Sequence, residues 1–485
     1  MLAVATATLT AGGLDPVSEP KRASDCTVNY SVMSRWDSGF VTTLRLTNKG
    51  TKLNNWTLTF DFTGSQRVVH GWNAKWSQSG TTVTARNESW NDSLGIDATV
   101  VIGFLGSTSE ANVGAKTFKL NGSTCGLQTQ PSHPPTVHPL PQNAAAPPLH
   151  VAGNKLIDPR GRSRRLLGVN RSGAEYMCIN GYGIFDGPVD DAAIKAIADW
   201  KGNAVRIPLN EECWLGLSGA PPKYAGTRYI RQIKELVARI EAHGMTPILD
   251  LHWSYGIYIG NSTGCTDRHA TCQKPMPDAQ YSPSFWSSVA RVFKGDQAVA
   301  FDLFNEPYPD RTTATATQAW QCWLNGGTCP GISYKVAGMQ DLVNVVRAAG
   351  ARNVLLVGGL AYSNDLSQWL VYKPQDPADN LIASYHVYPF NACTNDSCWN
   401  STLSPIASKF PVVATELGEM SCAHTFVDSA MKWFDDHDIS YLGWTWNTWD
   451  CSSGPSLISD YSGTPTPYGI GLRNHLRSLS DGSRF

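Results

Sequence analysis

The residues best suited to chemistry stand where apolar runs break off. Ala300-Phe301-Asp302-Leu303-Phe304-Asn305-Glu306-Pro307 is such a run, ended by an amide, an acid and a proline. A stretch of this kind reads as a strand buried on both faces. Pro307 stops it, because a central strand excludes proline. Asn305 and Glu306 therefore fall at a strand's carboxyl end, where parallel α/β folds place their chemistry. A second run, Val412–Glu416, closes on Glu416. Two carboxyls at one opening can divide the work, one holding a proton and the other staying ionised.

Residues 149–485 must position them. Apolar runs at Arg165–Asn170, Ala204–Leu209, Pro247–Leu251, Val299–Asn305, Val354–Gly358, Leu381–His386, Val412–Glu416 and Tyr441–Trp446 alternate with helical segments. The latter include Asp190–Lys201, Thr227–His243, Pro283–Phe293, Gly338–Ala349 and His424–His437. Between Tyr229 and His243, Ile230, Ile233, Leu236, Val237 and Ile240 recur at helical spacing. Eight strands, each followed by a helix or long loop, predict a (β/α)8 barrel of the TIM type. A doubly wound sheet is the alternative, but no strand is followed by a Gly-rich phosphate turn.

In a barrel the strand ends share one face. Read in order they are Asn170, Arg206, His252, Asn305-Glu306, His386 with Tyr388, Glu416 and Trp444. Singly, His252 reads as a hydrogen-bonded core histidine and Arg206 as a buried ion-pair partner. Seven of eight strands ending in such residues is hard to attribute to packing. Cleavage of a glycosidic bond needs a protonated carboxyl at the leaving oxygen and an ionised one across the anomeric carbon, about 5–5.5 Å apart in the retaining geometry. Glu306 and Glu416 close the fourth and seventh strands, across the barrel mouth. Arg206 and Tyr388 are placed to keep Glu416 ionised, which suits a nucleophile. The negative charge of Glu416 is expected to raise the pKa of Glu306, which then serves as acid and later as base. Asn305 is placed to bond a sugar 2-hydroxyl. Glu211, Glu212 and Glu419 are rival acids. Glu419 reads as solvated or supporting, and Glu211 and Glu212 as possible contacts to a sugar hydroxyl.

From about Leu149 to about Arg473 the chain resembles glycoside hydrolase family 5. The most specific piece is Asp302-Leu303-Phe304-Asn305-Glu306-Pro307. Ala204-Val205-Arg206, Asp250-Leu251-His252, His386-Val387-Tyr388-Pro389, Thr415-Glu416-Leu417-Gly418 and Gly443-Trp444 support it. The resemblance implies Glu306 as acid/base, Glu416 as nucleophile, and Arg206, His252, Asn305, His386, Tyr388 and Trp444 around the substrate. Three long, cysteine-bearing loops depart from it: Trp253–Tyr281, Tyr308–Ser333 and Asn391–Ser401. Trp444, Trp446 and Trp449 crowd the eighth strand; strand phase favours Trp444, with Trp446 on the same face.

Residues 26–125 read differently. Val41–Leu46, Trp56–Phe62 and Thr81–Thr84 alternate at period two between polar turns, the pattern of an antiparallel β-sandwich. Trp56 is in phase with Leu58 and Phe60, so it is expected in the core. Trp36, Trp72 and Trp90 lie among polar or turn-forming neighbours. Each alone reads as packing under a turn; together they suggest an exposed flat strip. The block resembles a family 2 carbohydrate-binding module over its whole length. That implies a Cys26–Cys125 disulfide and a cellulose-binding face of Trp36, Trp72 and Trp90. Residues 126–148 hold seven prolines and read as a stiff linker. Residues 1–25, with a short apolar run from Leu2 to Leu9, read as a secretion-signal remnant.

Composition sets the partners. The 485 residues carry 39 basic and 40 acidic side chains, a net charge of −1, which points to neither nucleic acid nor an anionic membrane. The 17 tryptophans could be core or flat platforms for sugar rings. Of 12 cysteines, Cys265/Cys272, Cys322/Cys329 and Cys393/Cys398 are close pairs, wider than zinc ligands usually are, and are expected to be disulfides in an oxidising compartment. The expectation is a secreted, monomeric, retaining β-glycanase with no metal or cofactor. Its partner is cellulose or a related β-glycan, and its activity that of an endo-1,4-β-glucanase. The alternatives are the same mechanism on mannan, xylan or another β-glycan, a transglycosylase, and a non-catalytic polysaccharide-binding protein.

Overall fold

The computed structural model describes residues 25–36, 39–88, 91–108, 114–127, 145–258 and 265–481. The chain forms two compact units, with the division at Pro134/Pro135.

The first unit is a sandwich of two five-stranded sheets. One runs Gly126–Leu127, Cys26–Trp36, Gly39–Asn48, Thr99–Ser107, Arg67–Trp72; the other runs Ser123–Thr124, Ala115–Leu120, Thr57–Phe62, Thr82–Arg86, Lys75–Ser79. Alternation in the sequence becomes alternation in burial: in Thr57–Phe62 every second side chain is buried. Phe60 packs between Phe104 and Phe118, with centroids 6.1 and 5.3 Å away. Trp56 lies in this core, its indole N–H donating to the carbonyl of Asn91 at 2.7 Å. Cys26 and Cys125 are bonded. A loop of this length contributes about 4.7 kcal/mol in the chain-entropy account of a cross-link.

The second unit is a closed barrel of eight parallel strands: Leu167–Asn170, Ala204–Asn210, Thr246–Trp253, Ala300–Asp302, Leu355–Gly358, Leu381–Val387, Val412–Leu417 and Ser440–Gly443. Nearly all their residues are buried, which is why the sequence shows unbroken apolar runs rather than alternation. The expected helices are present as Asp191–Ala198, Thr227–Ala242, Ser282–Phe293, Met339–Ala348 and Thr425–Asp436. Asp190 starts the first by accepting from the amide of Ala193. Helix Thr227–Ala242 buries Tyr229, Ile233, Leu236, Val237 and Ile240. A further helix, Pro467–Asp481, follows the eighth strand, and Gly443 admits Leu472 of that helix at a distance no side chain would allow.

Two strands are shorter than expected. The fourth ends at Asp302, although Leu303 and Asn305 still donate to Leu356 and Leu251 on either side. The eighth ends at Gly443; Trp444 and Trp446 donate to Leu417 and Asn170. In these two strands regular pairing stops just before the functional residues, and single main-chain bonds carry on past it.

The opposite end of the barrel is plugged. A three-stranded sheet, His150–Ala152, Lys155–Ile157 and Ser163–Arg164, precedes the first strand. Leu149, Leu156 and Leu166 join Ala204, Ile248, Ala300, Leu356, Ile382 and Leu442 in one cluster. Both ends of the Pro-rich stretch take part in folded structure: Gly126–Leu127 pairs with Thr27 and Val28, and the amides of Ala146 and Leu149 donate to Glu241 and Gln297.

All 12 cysteines are bonded. Cys265–Cys272, Cys322–Cys329 and Cys393–Cys398 pair as their proximity indicates. Cys178–Cys213 ties the segment after the first strand to the short helix Glu211–Leu215, and Cys422–Cys451 joins two loops, across separations of 35 and 29 residues. No helix among the described residues is long and apolar enough to cross a membrane.

Candidate active site

Strand phase builds the site. Ala204, Ile248 and Ala300 face the barrel interior; two residues further along each strand stand Arg206, Asp250 and Asp302, all fully buried. A charged layer thus rests on an apolar one. Arg206 is its hub. Its Nε donates to Asp302 at 2.9 Å, and its Nη1 to Glu416 at 2.9 Å and Asn170 at 3.1 Å. Its Nη2 donates to Asn305 at 2.9 Å and lies 3.1 Å from Asp250. One guanidinium therefore faces three carboxyls. Burial pushes Asp250 up to about 7 and Asp302 well above the usual carboxylate range, against the pull of Arg206.

Arg206 has only donors, so the Asn305 atom it meets is the carbonyl oxygen, and the Asn305 amide nitrogen faces the other way. That nitrogen donates to Gln273 Oε1 at 3.1 Å and lies 3.4 Å from His252 Nε2. His252 Nδ1 is 2.6 Å from Asp250. Burial lowers His252 to about 4, so its ring is neutral, with the proton on Nδ1 toward Asp250. Trp444, half-buried, stacks on this ring at 5.4 Å and 11°.

The two glutamates sit in different surroundings. Glu416 lies on the seventh strand, with one oxygen held by Arg206 and the other accepting from the Tyr388 hydroxyl at 2.6 Å. Glu306 lies beyond the fourth strand, its side chain 19% exposed. Burial pushes it up to about 7, opposed by His252, Arg206 and Gln273. The sequence reading attributed this rise to the charge of Glu416; burial is the cause instead. His386 lies between the pair, its Nδ1 3.0 Å from Glu306 and 3.6 Å from Glu416. Burial lowers it to about 3, so it too is neutral. One oxygen of each glutamate and a ring nitrogen of His386 fall within 4.8 Å of one another.

The structure thus gathers Arg206, His252, Asn305, Glu306, His386, Tyr388, Glu416 and Trp444 at one mouth. Asn170 is also there, but buried, donating to the carbonyl of Thr415 and accepting from Arg206. Trp446 is not on the cleft: it is buried against Trp200 at 4.7 Å, because the chain leaves the barrel after Gly443. The rival acids are structural. Glu211 is buried, accepting from the Tyr255 amide and the Ser282 hydroxyl. Glu212 is buried, accepting from the Ala270 amide and facing His269. These two anchor the third-strand loop and are closed to a sugar. Glu419 is buried rather than solvated, and accepts from Phe426 in the first turn of helix Thr425–Asp436. In the first unit, Trp36 and Trp72 belong to strands of one sheet; their side chains, and Trp90 altogether, lie outside the described residues.

Sequence reasoning missed several neighbours. Asp250 and Asp302 carried a signal, two residues on from an inward apolar position. Gln273, in an irregular loop, carried none. The fifth strand, which showed no polar end, leads to Ala361, Tyr362 and Ser363, all with left-handed backbone (φ 50°, 61° and 60°). Bonds from Ala361 to Asp310, Tyr362 to Pro307 and Ser363 to Asn305 hold that turn. It presents a partly exposed Tyr362, stacked on Tyr308 at 4.6 Å.

A (β/α)8 barrel with two opposed glutamates at its mouth, one held by donors and one lifted by burial, defines a glycoside hydrolase. Comparison with known proteins gives the family. Residues 169–450 match the family model described as cellulase, glycosyl hydrolase family 5, and the chain belongs to that family. Residues 26–125 match the model of the cellulose binding domain. Endoglucanase CelA of Streptomyces lividans is 28% identical, over 97% of this chain and 96% of that protein. Exoglucanase B of Cellulomonas fimi is 46% identical, over 22% of this chain and 10% of that one. The β-glucanase SdGluc5_26A from Saccharophagus degradans shares the fold, with a TM-score of 0.52 at 21% identity, covering 69% of this chain and 94% of that chain.

Proposed function

We propose that the protein is a secreted, retaining endo-1,4-β-glucanase acting on cellulose. Glu416 attacks the anomeric carbon while Glu306 protonates the leaving oxygen. The glycosyl ester removes the charge of Glu416, and Glu306 then takes a proton from the incoming water. The observation that carries the reading is the placement of the two carboxyls within 4.8 Å of one another, in unlike surroundings. That spacing favours double displacement over the inverting arrangement, in which the carboxyls stand about 6.5–9.5 Å apart to admit a water between them. His252 and His386 are neutral and contribute hydrogen bonds rather than charge. Arg206 and Tyr388 hold the attacking oxygens in place. Asn305 meets the sugar 2-hydroxyl, Trp444 offers a ring face to the sugar, and the first unit holds the enzyme on fibre through Trp36, Trp72 and Trp90.

The similarity of most of the chain to a named endoglucanase supports β-1,4-glucan over mannan or xylan. The bonded state of all 12 cysteines supports secretion. The test is the product anomer from a cellooligosaccharide, read by NMR before mutarotation, with retention expected. Glu416→Ala is expected to be inactive and to recover with azide, yielding the inverted glycosyl azide. Inverted product from the wild-type enzyme, or no azide rescue, refutes the assignment.

A further inference from the structure

We propose that Gln273 is a positioning residue that ties the Asn305–Glu306 pair to the stapled loop after the third strand. The inference rests on Glu306 being the acid/base. Regular strand pairing ends at Asp302, and beyond it the main chain that carries Glu306 is held by single bonds, from Asn305 to Leu251 and from Ser363 and Tyr362 to the carbonyls of Asn305 and Pro307. Gln273 adds a clasp from the other side. Its Oε1 accepts from Asn305 Nδ2 at 3.1 Å, and its Nε2 donates to the Glu306 carbonyl at 2.9 Å. Its own carbonyl accepts from the Tyr308 hydroxyl at 3.0 Å, and the Tyr308 amide donates to Pro275. Residues 273–275 thus run alongside residues 305–308, with one amide side chain clasping both functional residues.

Gln273 is itself held on each side. Cys272 is bonded to Cys265. Lys274 is fully buried, and its ammonium donates to the carbonyls of Asp267 and His269. Ala270, inside the stapled segment, is bonded through its amide to Glu212 and through its carbonyl to Asn210. A rigid loop therefore presents a rigid amide. The consequence for Asn305 is specific. One hydrogen of its Nδ2 goes to Gln273, and the other faces the lone pair of His252 Nε2 across a long 3.4 Å nitrogen–nitrogen contact that a sugar hydroxyl can replace. The groups around Glu306 are His386, His252, Arg206, Asp250, Glu416, Tyr362 and Tyr388. Gln273 is uncharged among them, and its amide favours the ionised carboxyl.

The test uses the full chain and the Gln273→Met and Gln273→Glu variants, with melting temperature and the pH profile of kcat/KM on a soluble β-1,4-glucan. Methionine fills the space without either hydrogen bond. It is expected to lower kcat/KM roughly tenfold, leave the melting temperature near that of wild type, and move the alkaline limb to higher pH. Glutamate keeps an acceptor for Asn305 but replaces the donor with charge, and is expected to move the limb further. An alkaline limb that stays where it is in both variants overturns the proposal, whether kcat/KM is unchanged or falls equally at every pH. Glu306→Ala separates the premise. If it slows an activated aryl glycoside as much as a natural glucan, the acid assignment fails independently of Gln273.

Discussion

The position of the alkaline limb of activity follows from the surroundings of Glu306. A glutamate begins near 4.5, and burial pushes this one up to about 7. At about 1.36 kcal/mol per pH unit, that displacement favours the protonated carboxyl by roughly 3 kcal/mol. At pH 6 the acid is then about 90% protonated, whereas an unperturbed glutamate would be only about 3% protonated. The perturbation is pH itself, and the assay is kcat/KM at low substrate concentration on two aryl cellobiosides. One has a poor phenolate leaving group, and the other a dinitrophenolate that needs no proton. With the poor leaving group, kcat/KM is expected to fall about tenfold per pH unit above pH ~7. With dinitrophenolate the limb is expected to flatten, and Glu306→Gln is expected to abolish it for both. An alkaline limb near pH 5, or one that is the same for both leaving groups, would refute the burial argument.

Two further outcomes rest on other parts of the structure. Replacing Arg206 by Met leaves Asp250, Asp302 and Glu416 buried without their cation, and is expected to destabilise by about 3–5 kcal/mol at pH 7, read by chemical denaturation. Because carboxyls with raised folded pKa bind protons more tightly folded than unfolded, that loss should shrink as pH falls from 7 toward 4; a pH-independent loss would exclude an electrostatic origin. Removing residues 1–144 cuts between Leu127 and Ala146, whose pairing belongs to one unit each. Activity on a soluble β-glucan should stay within about twofold and that on insoluble fibre fall several-fold; equal losses on both would contradict independent modules.

The eight strands could be read in the sequence because parallel strands buried on both faces leave continuous apolar runs, and most of the site could be read because those runs end in polar residues. What escaped has physical reasons. Trp446 was placed on the same face as Trp444 because strand phase was extended three residues past Gly443, where regular pairing has stopped. Cys178–Cys213 and Cys422–Cys451 link segments after different strands, which the folded barrel brings together. Tyr362 sits in a left-handed turn whose three positive-φ positions are alanine, tyrosine and serine, so residue type gave no sign of it; the bonds to Asp310, Pro307 and Asn305 impose it. Glu211 and Glu212 looked available because they follow a strand end, and only the folded loop shows them consumed by Tyr255, Ser282, Ala270 and His269.

The difference between the two glutamates comes from which elements carry them. Glu416 lies within the seventh strand, and its carboxyl meets Arg206 from the second strand across the barrel and Tyr388 just past the end of the sixth. It has donors on both oxygens before any substrate arrives, which fixes the attacking geometry. Glu306 stands past its strand's end, outside the fan of Arg206, with a neutral His386 as its side-chain partner at 3.0 Å. Burial without a paired cation favours the proton there. The asymmetry between acid and nucleophile is therefore one of partners: Glu416 has a donor on each oxygen, whereas Glu306, past the end of the fourth strand at Asp302, is buried beside a neutral imidazole.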